Sequence, residues 1–184
     1  MNWEFRVLDF IERKFHSKRW TRMMKLATNF GEKGIFLSIW TLIMGANKKT
    51  RKEGVTMGLG LIIEALLCNL VLKPSVGRTR PYDIREKIEL LIPKLKDASF
   101  PSGHTGATFA TAAALFFSKT KMWIPAALMA CSTGFSRMYF YVHYPTDILG
   151  GAALGVSSGW AAARLQKRWE KKRHAKRTAE RRKK

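Results

Sequence analysis

Acidic residues are scarce in this chain: 13 Asp and Glu stand against 34 Lys and Arg over 184 residues, a formal net charge of +21. Cysteine is scarcer, with only Cys68 and Cys131, far apart inside apolar stretches. Two isolated thiols make no disulfide framework, and no Cys-x-x-Cys or Cys/His spacing suits zinc. Buried, inert thiols are the expected reading. The N-terminus Met-Asn-Trp-Glu-Phe-Arg lacks the basic, apolar and small-residue order of a cleaved leader, so membrane insertion falls to internal segments. A charge of this size would ordinarily point to nucleic acid. Its placement argues against that, because the cations gather at the ends and in short connections while the interior is apolar. No nucleic-acid partner is expected.

What is present is a series of apolar segments in a chain of single-domain size. Residues 2–16 are too charged to span a bilayer, but Trp3, Val7, Leu8, Ile11 and Phe15 recur at helical spacing. That pattern fits an amphipathic helix, either at the membrane interface or packed on its neighbours. Candidate spans follow at 34–46, 54–72, 104–117, 122–142 and 146–165, the first reaching full length only by borrowing 26–33. The expected fold is an all-α integral-membrane bundle of about five transmembrane helices plus the N-terminal amphipathic helix. Its expected divisions are an interfacial segment 1–33, a membrane domain 34–165 and a basic tail 166–184. Lys and Arg crowd residues 47–52, 118–121 and the tail, which share one side of such a bundle. That side is expected to be cytoplasmic, with 73–102 and 141–146 outside. Gly151, Gly155, Gly159 and Ala163 form a small-residue stripe, for packing within the chain or for a dimer face; the oligomeric state is not readable. Glu64 interrupts an apolar run about 13 Å along the helix from Lys73, where a structural hydrogen bond or a protonated carboxyl is expected.

Three polar clusters fall where outward span ends should meet. Lys73, Arg78 and Arg80 supply cations, arginine gripping phosphate bidentately and lysine as a point charge. At the entrance to the third span, Ser102 suits a helix cap and Gly103 admits a ligand close to the backbone. The free amides of such a helix start favour an anion beside His104. The third cluster is Ser136-Arg137, His143 and Asp147. With Pro145 at the first turn, His143 and Asp147 lie four apart on one face. A carboxylate on one ring nitrogen leaves the other as the better nucleophile. Two histidines amid fixed cations suit phosphoryl transfer.

Together these residues resemble the type 2 phosphatidic acid phosphatase superfamily, whose signature is Lys-x6-Arg-Pro, Pro-Ser-Gly-His and Ser-Arg-x5-His-x3-Asp. Here it reads Lys73 to Pro81, Pro101 to His104 and Ser136 to Asp147, in order and with spans between. The resemblance implies that His143 attacks phosphorus to form a phosphohistidine and that Asp147 orients it. His104 would protonate the leaving oxygen, and Lys73, Arg80, Ser102, Gly103 and Arg137 would bind the phosphoryl group. No metal and no cofactor is implied. Membrane members usually carry a further leading span. The substrate would be a lipid phosphate, with undecaprenyl diphosphate expected first and phosphatidic acid or phosphatidylglycerol phosphate next. A lipid phosphotransferase, or a non-enzymatic basic module binding anionic lipid, are the readings from other classes. The stretch around Ile84, Ile88 and Leu91 reads as a short amphipathic helix or a passive loop at the entrance.

Overall fold

The computed structural model describes residues 3–30, 34–85 and 90–182, and its regular structure is helical throughout. Two amphipathic helices come first, α1 (Trp3–Phe15) and α2 (Lys18–Asn29). They part at Ser17, whose extended backbone and side-chain oxygen, accepting from the Trp20 amide, cap α2. Leu26, borrowed above for the first span, belongs to α2, and residues 31–33 lie outside the described residues. The apolar α3 (Ile35–Ala46) is therefore 12 residues long, entered through Gly34 at φ 65.

The next helix, α4 (Arg51–Leu66), runs on through a π-helical stretch, Leu67–Leu72, into the short α5 (Lys73–Val76). Pro74 has no amide proton to return to the preceding turn, and the widened π turns lie just ahead of it. Gly77, in the left-handed region at φ 57, ends the helix. A four-residue helix, α6 (Pro81–Ile84), precedes an irregular segment from 90 to 102. Of the stretch read as amphipathic, Ile84 closes α6, Leu91 lies in the irregular segment, and Ile88 falls among residues 86–89, outside the described residues. The bundle is completed by α7 (Gly103–Phe117), α8 (Trp123–Tyr139) and the 38-residue α9 (Pro145–Arg182).

By length and composition, Arg51–Ile84 is the segment among the described residues that passes as a span, with Ile35–Ala46 a shorter apolar helix. The other helices begin where spans were expected. Their hydropathy is diluted because the inner faces are small and hydroxylated rather than oily. Thr105, Thr108, Thr111, Thr133, Ser136 and Ser158 are buried, while Leu42, Leu70, Leu128 and Leu149 are about two-thirds exposed or more. Lipid tails are as apolar as leucine, so an outside lined with leucine and an inside packed by small residues is what a bilayer allows. The buried threonine hydroxyls are bonded: Thr108 donates to the His104 and Thr105 carbonyls and Thr111 to that of Ala107, on their own helix, while Thr133 of α8 donates across to the Ala27 carbonyl of α2.

The glycine stripe of α9 faces α7. A Cβ on Gly155 would stand 2.3 Å from the Gly106 carbonyl oxygen, and one on Gly159 2.6 Å from that of Ala110. The stripe thus packs within the chain. At the opposite edge, α1 buries Leu8 and Ile11 against residues 139–144 and the aromatic Tyr82. Its acids hold it there, since Asp9 pairs with Arg85 at 2.7 Å and accepts from the Tyr141 hydroxyl at 2.7 Å.

Candidate active site

His143 sits on a five-residue connection between α8 and α9, shaped by the way α8 ends. The Val142 amide bonds back to the Arg137 carbonyl and the Tyr141 amide to that of Met138. This is the pairing of a Schellman motif, whose left-handed position is usually glycine. Here it is Tyr141, at φ 58. A left-handed conformation costs a non-glycine residue about 1–2 kcal/mol. Burial of the ring beside Phe5, with the hydroxyl on Asp9, offsets that cost. The chain therefore turns sharply enough to aim His143 back at α7.

His143 is 1% exposed. Its Nδ1 lies 2.8 Å from the Ser99 carbonyl oxygen, and its Nε2 3.3 Å from Arg80 Nη1. A carbonyl can only accept and a guanidinium can only donate, so both contacts require the proton on Nδ1 and a lone pair on Nε2. The sequence placed Asp147 as the direct partner. In the structure Asp147 Oδ2 is 3.5 Å from Nδ1, and the shorter bond goes to Ser99. Asp147 is instead held by the Ser99 hydroxyl at 2.5 Å, Arg78 at 2.6 Å and the Tyr144 amide at 2.9 Å. It braces the segment that carries the Ser99 carbonyl, and so reaches the imidazole by two routes. Burial pushes the His143 pKa down, Asp147 pulls it up, and Arg137 and Arg80 lower it again, leaving it at about 4.

A cavity of about 470 Å³ opens in front of this ring, and Lys73, Arg80, Gly103 and His104 line it with His143. The α4 wall continues it through Leu61, Ile62 and Ala65, and Glu64 lies on the same wall. The carboxylate noted in sequence as distant from Lys73 thus shares its cavity, because the cavity runs lengthwise along α4. Arg80 is fixed by the Val142 carbonyl at 2.9 Å and the Asp97 carbonyl at 2.9 Å. Lys73 forms an ion pair with Asp97.

Three expected residues stand behind this wall. Ser102 is fully buried; its hydroxyl meets that of Thr105 at 2.9 Å, and it makes no side-chain cap on α7. Its amide donates to the Asp147 carbonyl at 3.1 Å. Arg137 is buried in the last turn of α8 and donates to Thr28 at 2.5 Å, which ties α2 to the site. Asp147 is the third. The sequence reading left Ser99, Asp97 and Glu4 without roles. Arg78, noted there only as a cation, bridges Asp147 to Glu4 at 2.6 Å each, and Thr146 also reaches Glu4 at 2.6 Å. A cation two residues before Arg80 and an acid in the first turn of α1 were the available signals. Nothing in their spacing tells that they meet. Among the described residues no group of three His, Cys, Asp or Glu is placed to hold a metal ion.

Comparison with known proteins gives a consistent neighbourhood. The sequence profile of the PAP2 superfamily matches residues 53–171. An undecaprenyl-diphosphatase of Bacillus subtilis is 34% identical over 130 residues, covering 68% of this chain and 63% of that protein. An undecaprenyl-diphosphatase of Sulfolobus acidocaldarius is 31% identical, covering 72% and 64%. The match thus spans just under two thirds of these relatives' length. Among solved structures, a transmembrane PAP2-type phosphatidylglycerolphosphate phosphatase from Bacillus subtilis superposes with a TM-score of 0.72 at 26% identity, covering 91% of this chain and 88% of that one. The fold is also shared with LpxE of Aquifex aeolicus, at a TM-score of 0.74 and 24% identity over 89% and 96% of the two chains.

Proposed function

This chain belongs to the PAP2 superfamily, and from that premise we propose that it is a membrane phosphatase hydrolysing a lipid phosphate or diphosphate, with undecaprenyl diphosphate as its substrate. The observation that carries the reading is the His143 ring, whose Nε2 lone pair is turned to a cationic cavity with an apolar wall. Nε2 attacks phosphorus and the bond to the leaving oxygen breaks, giving a phosphohistidine; His104, in the first turn of α7 and lining the same cavity, protonates that oxygen. Water then attacks the phosphohistidine and gives a proton to His104; the bond from phosphorus to Nε2 breaks, inorganic phosphate leaves, and both imidazoles are restored. Lys73, Arg80 and the Gly103 amide meet the growing charge on the phosphoryl oxygens, with Arg137 adding its field from behind. Ser102 and Asp147 hold the α7 entrance and the His143 segment in register. The lipid chain lies along Leu61, Ile62 and Ala65.

The site faces the extracytoplasmic side and the C-terminal end of α9 the cytoplasm. Support comes from Lys52 and Glu170, paired at 3.0 Å, which bring the basic α3–α4 connection and the tail to one end of the bundle, away from His143. Phosphatidylglycerol phosphate is the second reading, favoured by the likeness to the Bacillus subtilis structure. Purified protein is to be assayed for phosphate release from undecaprenyl diphosphate, phosphatidic acid and phosphatidylglycerol phosphate, with chelator present. Turnover is expected first on the diphosphate. His143→Ala should lose at least about a thousandfold in kcat while still inserting and folding. Normal activity in that variant would refute the assignment.

A further inference from the structure

Lys73 and Arg80, the two cations that line the cavity beside His143, share a single anion: the carboxylate of Asp97. Asp97 Oδ1 accepts from Arg80 Nη2 at 2.8 Å, and Oδ2 pairs with Lys73. One carboxylate bridges two cations with two oxygens, as two oxygens of a phosphoryl group would. The cations lie deep, with side chains 12% and 3% exposed, whereas the Asp97 side chain is 48% exposed at the mouth. Burial alone would raise the Asp97 carboxyl, but Lys73 and Arg80 hold it at about 2, so it is an anion at any working pH.

We propose that Asp97 is an internal competitor for the phosphoryl group, displaced by substrate and returning to Lys73 and Arg80 as phosphate departs. This rests on the phosphatase reading of the same cavity. Two features make the exchange workable. Arg80 stays in place without the carboxylate, since it also donates to the Val142, Asp97 and Ala98 carbonyls. The Asp97 side chain sits on an irregular segment, half in contact with water, and needs only a rotamer change to leave. The consequence is a threshold that every phosphate must pass. Free inorganic phosphate must displace a carboxylate already paired with both cations, and it gains little. A lipid phosphate adds the burial of its chain along α4, which makes the displacement favourable. The same competition speeds release of the product phosphate.

Asp97→Asn keeps the shape and the Arg80 contact but has no second acceptor for Lys73. Inorganic phosphate should then inhibit about tenfold more tightly, the scale of one charge-assisted hydrogen bond. KM for lipid phosphate should fall several-fold without a rise in kcat. Asp83→Asn, which removes an equal charge that stands 3.9 Å from Lys94 outside this cavity, should change neither. Binding is also to be read without turnover, as the rise in melting temperature of the detergent-solubilised protein with added inorganic phosphate; it should be larger in Asp97→Asn and in Asp97→Ala than in wild type. Equal or weaker phosphate binding in these variants overturns the proposal. So does loss of fold in both, which would assign Asp97 a structural role. Stronger phosphate binding in a protein that hydrolyses none of the three lipids would instead sustain the competition and defeat the phosphatase reading.

Discussion

A neutral His143 is held by geometry as much as by burial. Protonating Nε2 would set a second positive charge against Arg80 Nη1, 3.3 Å away, with the ring almost out of contact with water. An unfolded chain takes up this proton near pH 6.5 and the folded one near 4. Between those values the unfolded state binds more protons, so the stability gained by keeping the ring neutral is whole above pH 6.5 and is lost as pH falls towards 4. Turnover should follow the folded value: kcat/KM is expected to hold to below pH 6 and decline towards pH 4, as the proposed nucleophile protonates. An acid limb centred at 6.5 in a pH–rate profile would contradict this. The sequence singled out this histidine, which stands four residues before an aspartate and six after an arginine. It did not show what holds the ring. The Ser99 carbonyl is a backbone group, and no residue type announces where a carbonyl will point.

At the scale of the helix, positions of the elements were readable because polar connections punctuate apolar runs. Their lengths were less so. The first span was extended backwards into α2, since apolar residues on an amphipathic helix and on a spanning one look alike over a few turns. The pairing of α7 with α9 was open between a neighbour and a second copy, and the structure resolves it through close backbone approach. Gly155 is the tightest point, where an added methyl would meet the Gly106 backbone at 2.3 Å. Backbone cannot yield as a side-chain end can, so Gly155→Ala should destabilise the protein by about 1–3 kcal/mol, the usual scale of overpacking. Leu149→Ala, on the exposed side of the same helix, should stay within about 0.5 kcal/mol. Thermal unfolding in detergent would check both; an unchanged midpoint for Gly155→Ala would mean that α7 and α9 lie farther apart than described.

For the whole molecule, the charge excess proves to be two different things. The N-terminal cations lie on α1 and α2, and the α1 acids Glu4 and Asp9 pair with Arg78, which braces Asp147, and with Arg85. The C-terminal ones continue α9 beyond residue 171, where the family match ends. Deleting residues 172–184 should therefore leave turnover on lipid phosphate within about twofold, and should weaken binding to anionic vesicles, each basic residue near such a surface contributing about 1 kcal/mol. A collapse of turnover in sedimentation-matched samples would instead tie the tail to catalysis.

The unbroken course of α9 has a metric consequence. Asp147 and Arg164, seventeen residues apart on one continuous helix, stand about 26 Å from each other along its axis. That is close to the thickness of a bilayer's hydrocarbon layer, about 30 Å. In the orientation proposed above, the helix is a rigid gauge that sets the depth of the phosphate cavity by reference to the cations at its far end. The reach of His143 to a headgroup then becomes a function of bilayer thickness, and chain length in the surrounding lipid joins the substrate itself in deciding how well the site is served.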